Sequence, residues 1–134
     1  INMIITALYA ALLTILLVVL SFRVIGHRRA QRVEIGDGND RELMRRMRVH
    51  ANFVEYTPYA LILMGLAESL GAPALLVHAL GASLLVGRIL HAYALSQTPH
   101  ILQVRVFGMV MTLTVLMAAA ATCLVLALLS GRLI

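Results

Sequence analysis

The chain has 134 residues, 61% of them hydrophobic, and a mean hydropathy of +0.93. A soluble domain of this length cannot hide that much apolar surface, so the composition indicates a membrane protein. The net charge is +5, and every basic residue is arginine. These arginines lie between apolar stretches without interleaved aromatic residues, so they indicate membrane topology and exclude a nucleic-acid partner.

Three stretches are long and apolar enough to cross a bilayer. They cover residues 3–25, 73–95 and 104–129. Each reaches the roughly 20 residues needed to cross about 30 Å of hydrocarbon. Small residues in the later stretches are expected to allow close helix contacts, namely Gly81, Gly87, Gly108 and 118–121.

A further span, the second in chain order, is predicted over residues 48–70. Only 12 uncharged residues separate Glu55 from Glu68, and about 18 Å of helix is too short to cross. The span must therefore carry Asn52 and Glu55 near or within the membrane. Such groups are costly in lipid, so we expect them to face a protein interior or a wet cavity. Pro58 is expected to kink this helix.

The hydrophilic segment between the first two spans starts the second helix and orients the protein. Asp40 has the position of an N-cap, and Glu42 lies in the first turn. Eight arginines lie between positions 23 and 48. By the positive-inside rule this segment and the loop before the fourth span are cytoplasmic, so both termini lie on the other side. Residues 1–134 are thus predicted to form one all-α, multi-pass four-helix bundle, and the lysine-free composition points to a bacterial inner membrane.

Polar residues at the start of the second span share one helix face. Steps of three and four residues separate Arg41, Arg45, Arg48, Asn52, Glu55 and Tyr59. Arginine holds a carboxylate with two hydrogen bonds and Glu55 can accept from an ammonium, so the face suits a zwitterionic ligand. The alternative is that Arg48 and Glu55 satisfy other residues of the bundle, and spacing alone does not decide between the two.

Two further positions carry charge at span boundaries. Arg88 and His91 share a face of the third span, either as ligand contacts or as a snorkelling arginine with a polar neighbour. Arg105 starts the fourth span, where a guanidinium beside a helix N-terminus would draw a thiol towards its thiolate. Position alone favours a topology-setting role for Arg105. Cys123 is the only cysteine, so an intrachain disulfide and a cysteine zinc site are excluded.

Three segments resemble the MAPEG family, the membrane-associated proteins of eicosanoid and glutathione metabolism. Residues 48–58, RVHANFVEYTP, fit the family signature R-x-x-x-N-x-x-E-Y-x-P. Residues 24–33 resemble the segment after the first helix of the leukotriene-conjugating members. Residues 88–91, RILH, resemble the R-I-x-H of microsomal glutathione transferases. The Gly-Asp-Gly turn at 36–38 is similar to the bacterial subgroup, and the resemblance covers nearly the whole chain in order.

The resemblance implies a homotrimer in the lipid bilayer that holds glutathione as co-substrate between neighbouring subunits and needs no metal. It implies that Arg105 stabilises the glutathione thiolate, with Arg29 as a second catalytic candidate near the thiol. The implied glutathione-binding residues are Arg28, Arg48, His50, Asn52, Glu55, Tyr56, Arg88 and His91.

The leading hypothesis is a glutathione transferase, with a peroxidase as a variant, acting on hydrophobic small molecules from the bilayer. The chain departs from the pattern of that family on the third helix, where family members carry tyrosines and this chain has His91 and Leu95. A non-catalytic lipid- or thiol-binding family member is therefore the alternative. A small transporter with Glu55 as coupling group ranks last, because the chain has no inverted repeat.

Overall fold

The computed structural model describes residues 2–131, which form four α-helices in an up-and-down bundle. α1 packs on α2 and α3, and α4 packs on the same two helices, so α1 and α4 occupy opposite corners. No strand occurs in this part of the chain. The predicted all-α four-helix fold is confirmed. The helices are α1 (Ile4–Gln31), α2 (Arg41–Ser69), α3 (Ala74–Ser96) and α4 (Leu102–Leu129).

Helices α1, α3 and α4 are each long and apolar enough to cross a membrane. The outer faces of α1 and α4 expose large apolar side chains such as Ile15, Phe22 and Met117, as expected of surfaces in contact with lipid. Helix α2 is more polar because charged residues fill its first turns. Its 29 residues are about 44 Å long, enough to run the depth of the bundle, and the helix continues through Pro58.

The start of α2 is held by Asp40, as its sequence position predicts. Its Oδ1 accepts hydrogen bonds from the backbone N–H groups of Glu42 and Leu43, at 2.9 and 3.1 Å. Its Oδ2 lies 2.8 Å from Nε2 of His27, near the end of α1. The hydrogen bond with His27, together with the one from the Leu43 N–H, holds the pKa of Asp40 below its ordinary value of 3.8. One carboxylate therefore caps α2 and ties it to α1.

The opposite end of the bundle is held by a carboxylate from another helix. The first turn of α1 contains no acidic residue, and Met3 provides no side-chain cap. Glu68, from the last turn of α2, accepts hydrogen bonds from the backbone N–H groups of Ile5 and Thr6, at 2.9 and 2.8 Å. An anion at this position satisfies free N–H groups and the positive end of the helix dipole. Glu68 therefore acts as a cap for α1 across the bundle.

Glycines set the distance between α3 and α4, as predicted from sequence. A Cβ on Gly108 would lie 2.6 Å from the carbonyl oxygen of Gly87 and 2.8 Å from the backbone nitrogen of His91. A Cβ on Gly81 would overlap the ring of Tyr9 in α1. The close approach of α3 and α4 brings His91 against the start of α4, where the candidate site lies.

Candidate functional site

A pocket of about 280 Å³ opens between the first half of α2, the end of α3 and the start of α4. We call it the arginine pocket. Its apolar lining comprises Met44 and Leu95. Its polar lining comprises Arg41, Arg45, Arg48, Asn52, His91 and Arg105. Four guanidinium groups and no described carboxylate line this pocket, so its chemistry favours an anion.

A second cavity of about 420 Å³ adjoins the arginine pocket and shares Asn52, His91 and Arg105 with it. The rest of its lining is Tyr56 and a mostly apolar strip of α4, Leu102, Val106, Met109 and Val110. The three shared residues thus stand between a cationic compartment and an apolar one.

The polar face of α2 is divided by the fold. Arg41, Arg45, Arg48 and Asn52 line the arginine pocket. Further along the helix, Glu55 is exposed and Tyr59 is 63% exposed. Arg48 is also exposed. Neither Arg48 nor Glu55 forms an ion pair within residues 2–131. Their charges are therefore not neutralised by other residues of the same protomer, which was the alternative to a ligand-binding role.

Arg45 is held by its neighbours at the rim of the arginine pocket. It donates to the hydroxyl of Thr98 in the α3–α4 connection, and its Nη1 lies 3.4 Å from Glu42. Because the contact with Thr98 joins the start of α2 to the segment before α4, it holds two walls of the pocket together.

Arg88 is the largest fully buried side chain and lies behind the pocket. Its Nη2 donates to Oδ1 of Asn52 at 2.5 Å and lies 3.4 Å from Nδ1 of His91. Its Nη1 donates to the hydroxyl of Thr112 at 3.4 Å, and the guanidinium lies 5.9 Å from the centre of the Phe53 ring. The snorkelling alternative for Arg88 is wrong, because the side chain points into the bundle. It connects α2, α3 and α4 at the wall of the pocket.

This cation has no carboxylate partner among the described residues. A buried charge without a counterion is costly. The hydrogen bonds and the Phe53 ring offset part of that cost. The remaining positive potential acts on the adjacent pocket, where it adds to that of Arg105.

Besides the exposed Glu55, three of the predicted site residues lie away from the arginine pocket and the adjoining cavity in a single protomer. His50 faces α1, with Nε2 3.1 Å from the hydroxyl of Ser21. Arg28 donates to the carbonyl oxygen of Gly36 at 2.7 Å. Arg28 and Arg29 line a separate cavity of about 610 Å³ at the end of α1. Their assignment to glutathione stays a prediction that depends on a neighbouring subunit.

Sequence reasoning missed Thr112 as a partner of Arg88. It also did not foresee that Arg88 would bind Asn52. These contacts join different helices, and no local spacing signals them. Within residues 2–131, no group of three His, Cys, Asp or Glu side chains is placed to hold a metal ion.

The four helices surround a buried polar network, and three of them are long and apolar enough to cross a membrane. The chain is therefore an integral membrane protein of the helical-bundle class. Residues 6–125 match the MAPEG family, and the chain belongs to that family. It is 45% identical over 89 residues to Inner membrane protein YecN of Escherichia coli K12, an alignment covering 66% of this chain and 68% of that protein. The similarity to Inner membrane protein YecN of Escherichia coli O6:H1 has the same identity and coverage.

Proposed function

We propose that the protein is a glutathione-dependent membrane transferase that joins the glutathione thiolate to hydrophobic electrophiles from the bilayer. The observation that carries the proposal is the arginine pocket, where Arg48, Asn52, His91 and Arg105 converge from three helices. Membership of the MAPEG family, which includes glutathione transferases, supports the same reaction class.

The charges of the site match those of glutathione. The tripeptide has two carboxylates and a thiol, which together present up to three anionic groups, and the pocket has four guanidinium groups. Its ammonium requires an acceptor, and Glu55 is an exposed carboxylate on the same helix as Arg48. The tripeptide would thus extend along α2, with its anionic groups in the pocket and its amino end near Glu55.

A homotrimer would complete this site. The exposed face of α2, with Arg48 and Glu55, is costly if it lies against lipid, so we expect a neighbouring protomer to cover it. The same neighbour would bring Arg28 and Arg29 of its own α1 towards the bound tripeptide. Without such a partner these two arginines remain at the separate cavity at the end of α1.

In the proposed reaction, Arg105 stabilises the thiolate in the pocket and the sulfur attacks the electrophile. Arg105 lies in the first turn of α4, where its charge adds to the positive end of the helix. The adjoining cavity, with its apolar strip of α4, would hold the electrophile next to the sulfur. The catalytic contribution then comes from charge stabilisation and proximity.

A second candidate is a family member that binds a thiol or lipid without catalysis. The specific observation in its favour is Leu95, an apolar side chain in the pocket, at a position where the family resemblance implies a tyrosine. Such a protein would be stabilised by its ligand without turning over.

We further propose a bacterial inner membrane location, with the arginine-rich α1–α2 connection in the cytoplasm and both termini on the other side. The name of the Escherichia coli relatives supports the location, and the distribution of arginine supports the orientation. Cysteine labelling with membrane-impermeant reagents at single introduced sites, in a Cys123→Ala background, would test it.

The deciding experiment is glutathione binding to the detergent-purified protein, compared with Arg48→Ala and Glu55→Gln. Arg32→Gln is the matched control, because it removes an arginine outside the arginine pocket. We expect saturable binding that both site variants abolish and the control retains. No binding at millimolar glutathione would overturn the proposal. Binding without conjugation of any hydrophobic electrophile would favour the second candidate.

A further inference from the structure

We propose that Arg88 is a positioning residue for the arginine pocket. By binding the acceptor atoms of Asn52 and His91, it leaves these two side chains able only to donate hydrogen bonds into the pocket. The inference rests on the proposed function for its ligand, an anionic sulfur. Two contacts of one guanidinium nitrogen of Arg88 support it. Nη2 of Arg88 donates to Oδ1 of Asn52 and lies 3.4 Å from Nδ1 of His91.

The first contact orients Asn52. An asparagine amide has one acceptor oxygen and two N–H donors. Arg88 occupies the oxygen, and no described acceptor lies within hydrogen-bond distance of the Asn52 amide nitrogen. Since Asn52 lines both the arginine pocket and the adjoining cavity, the amide offers its N–H groups there.

The second contact selects a tautomer of His91. An arginine only donates hydrogen bonds, so Nδ1 of His91 must accept and cannot carry a proton. The proton of the neutral imidazole then resides on Nε2. His91 is buried at 2% exposure and lines both cavities, so this N–H is available to a molecule bound there.

The result is a pocket whose wall presents donors from Asn52, His91 and Arg105, while Arg88 supplies a buried positive charge behind them. Such a wall has no acceptor for the hydrogen of a thiol. A thiol entering it therefore loses its proton to water, the S–H bond breaks, and the sulfur is bound as the anion. No oxidation or reduction takes place. The pocket thereby distinguishes an ionisable thiol from a thioether, which has no proton to release.

His91 therefore has a role other than general base. A base must accept a proton at a nitrogen that faces the substrate, and the Arg88 contact leaves Nε2 already protonated. His91 is therefore a hydrogen-bond donor to the sulfur, and Arg88 acts on the chemistry only through its two neighbours.

The test is the tautomer of His91 in the purified protein without ligand, read from nitrogen–proton couplings in a sample with isotope-labelled histidine. His91→Gln identifies the signal among the five histidines. We expect the Nε2–H tautomer in the wild type and a mixture of both in Arg88→Met, which keeps the volume and removes the donors. Arg88→Leu, which also removes the donors, serves if Arg88→Met does not assemble. Thr112→Val, which alters the other side of Arg88, should retain the wild-type tautomer.

An Nδ1–H tautomer or an imidazolium in the wild type at neutral pH would overturn the proposal. So would an unchanged Nε2–H tautomer in Arg88→Met or Arg88→Leu, because Arg88 would then not be its cause. These readings need no glutathione, so they separate this proposal from the proposed function. If glutathione binds, the wild type should release about one proton per thiol into the buffer, and the S-methyl analogue none. Equal release with both would also contradict the proposal.

Discussion

Asn52 and Arg88 lie 36 residues apart in the chain and meet inside the bundle, where Nη2 of Arg88 donates to Oδ1 of Asn52 across 2.5 Å. The contact joins α2 to α3 at the wall of the arginine pocket. It gives the asparagine of the family signature two tasks, since the same side chain partners a buried cation and lines the pocket. Substitutions that separate the two tasks are therefore informative.

Asn52→Ala should lower the stability of the protein, and Asn52→Asp should not. Alanine leaves the buried Arg88 cation without its closest acceptor, and we expect a loss of about 1–3 kcal/mol. Aspartate keeps the acceptor and adds a countercharge, so its thermal unfolding in detergent should match or exceed that of the wild type. Both variants should lose glutathione binding, because alanine removes the N–H groups that face the pocket and the aspartate competes for its arginines. An aspartate variant as unstable as the alanine variant would show that the Arg88 contact contributes little.

The contacts that could be predicted from sequence are the local ones. Asp40 was identified as an N-cap because capping depends on residues two and three positions along the chain. The alignment of Arg41, Arg45, Arg48 and Asn52 on one face follows from helical periodicity, and the structure places all four at the pocket. Glycine positions likewise predicted close helix packing, because a missing side chain permits it wherever the helices meet.

The contacts that could not be predicted join residues far apart in the chain. Glu68 caps α1 from 63 residues away, and no pattern near either residue signals it. Arg88 could have pointed outward to the membrane surface or inward to the bundle, and only the packing of α2 and α4 decides that. Glu55 continues the polar face of α2 in sequence but lies outside the pocket lining, because the helix turns it away from α3 and α4.

The cap that Glu68 provides should be measurable. Glu68→Gln keeps an acceptor oxygen but removes the charge at the start of α1, and we expect a loss of about 0.3–1 kcal/mol. Hydrogen exchange at the backbone amides of Ile5 and Thr6 should speed up, because their acceptor weakens. Glu34→Gln, in the exposed α1–α2 connection, is the control and should leave both readings unchanged. Unaltered exchange at Ile5 and Thr6 in Glu68→Gln would contradict the cap.

The link between His27 and Asp40 predicts an acid-dependent stability. The pKa of Asp40 in the folded protein is below its ordinary value of 3.8, chiefly through the hydrogen bond with His27. The carboxylate therefore stabilises the fold above that ordinary value, and the contribution disappears as pH falls through the lowered folded pKa. Asp40→Asn keeps the N-cap but removes the charge, so its melting temperature should fall less steeply with acid than that of the wild type. Asp37→Asn is the control and should follow the wild type. If the melting temperature of Asp40→Asn falls with acid in parallel with that of the wild type, the hydrogen bond between His27 and Asp40 does not stabilise the fold.

Arg105→Ala tests the proposed reaction. If Arg105 stabilises the thiolate, its removal should lower the conjugation rate by about 10²-fold while glutathione binding weakens far less. The ultraviolet absorbance of the bound thiolate should fall in parallel with the rate. Arg32→Gln, whose arginine lies at the other cavity, should leave rate and absorbance unchanged. Equal losses in rate and binding would assign Arg105 to binding alone.

The close contact between α3 and α4 at Gly108 should be essential to the site. Gly108→Ala tests this expectation, and Gly26→Ala is the control. A Cβ on Gly108 would lie 2.6 Å from the Gly87 carbonyl oxygen and 2.8 Å from the His91 nitrogen. Backbone atoms cannot give way as a flexible side chain does, so the helices must separate at a cost of about 1–3 kcal/mol. A Cβ on Gly26 meets nothing within 4 Å, and alanine there should be neutral or stabilise α1 by up to about 1 kcal/mol. Because the separation moves His91 away from Arg105, we expect Gly108→Ala to reduce glutathione binding even where the folded protein is recovered. If both alanine variants unfold at the same temperature, then the close approach of α3 and α4 does not hold the two helices together.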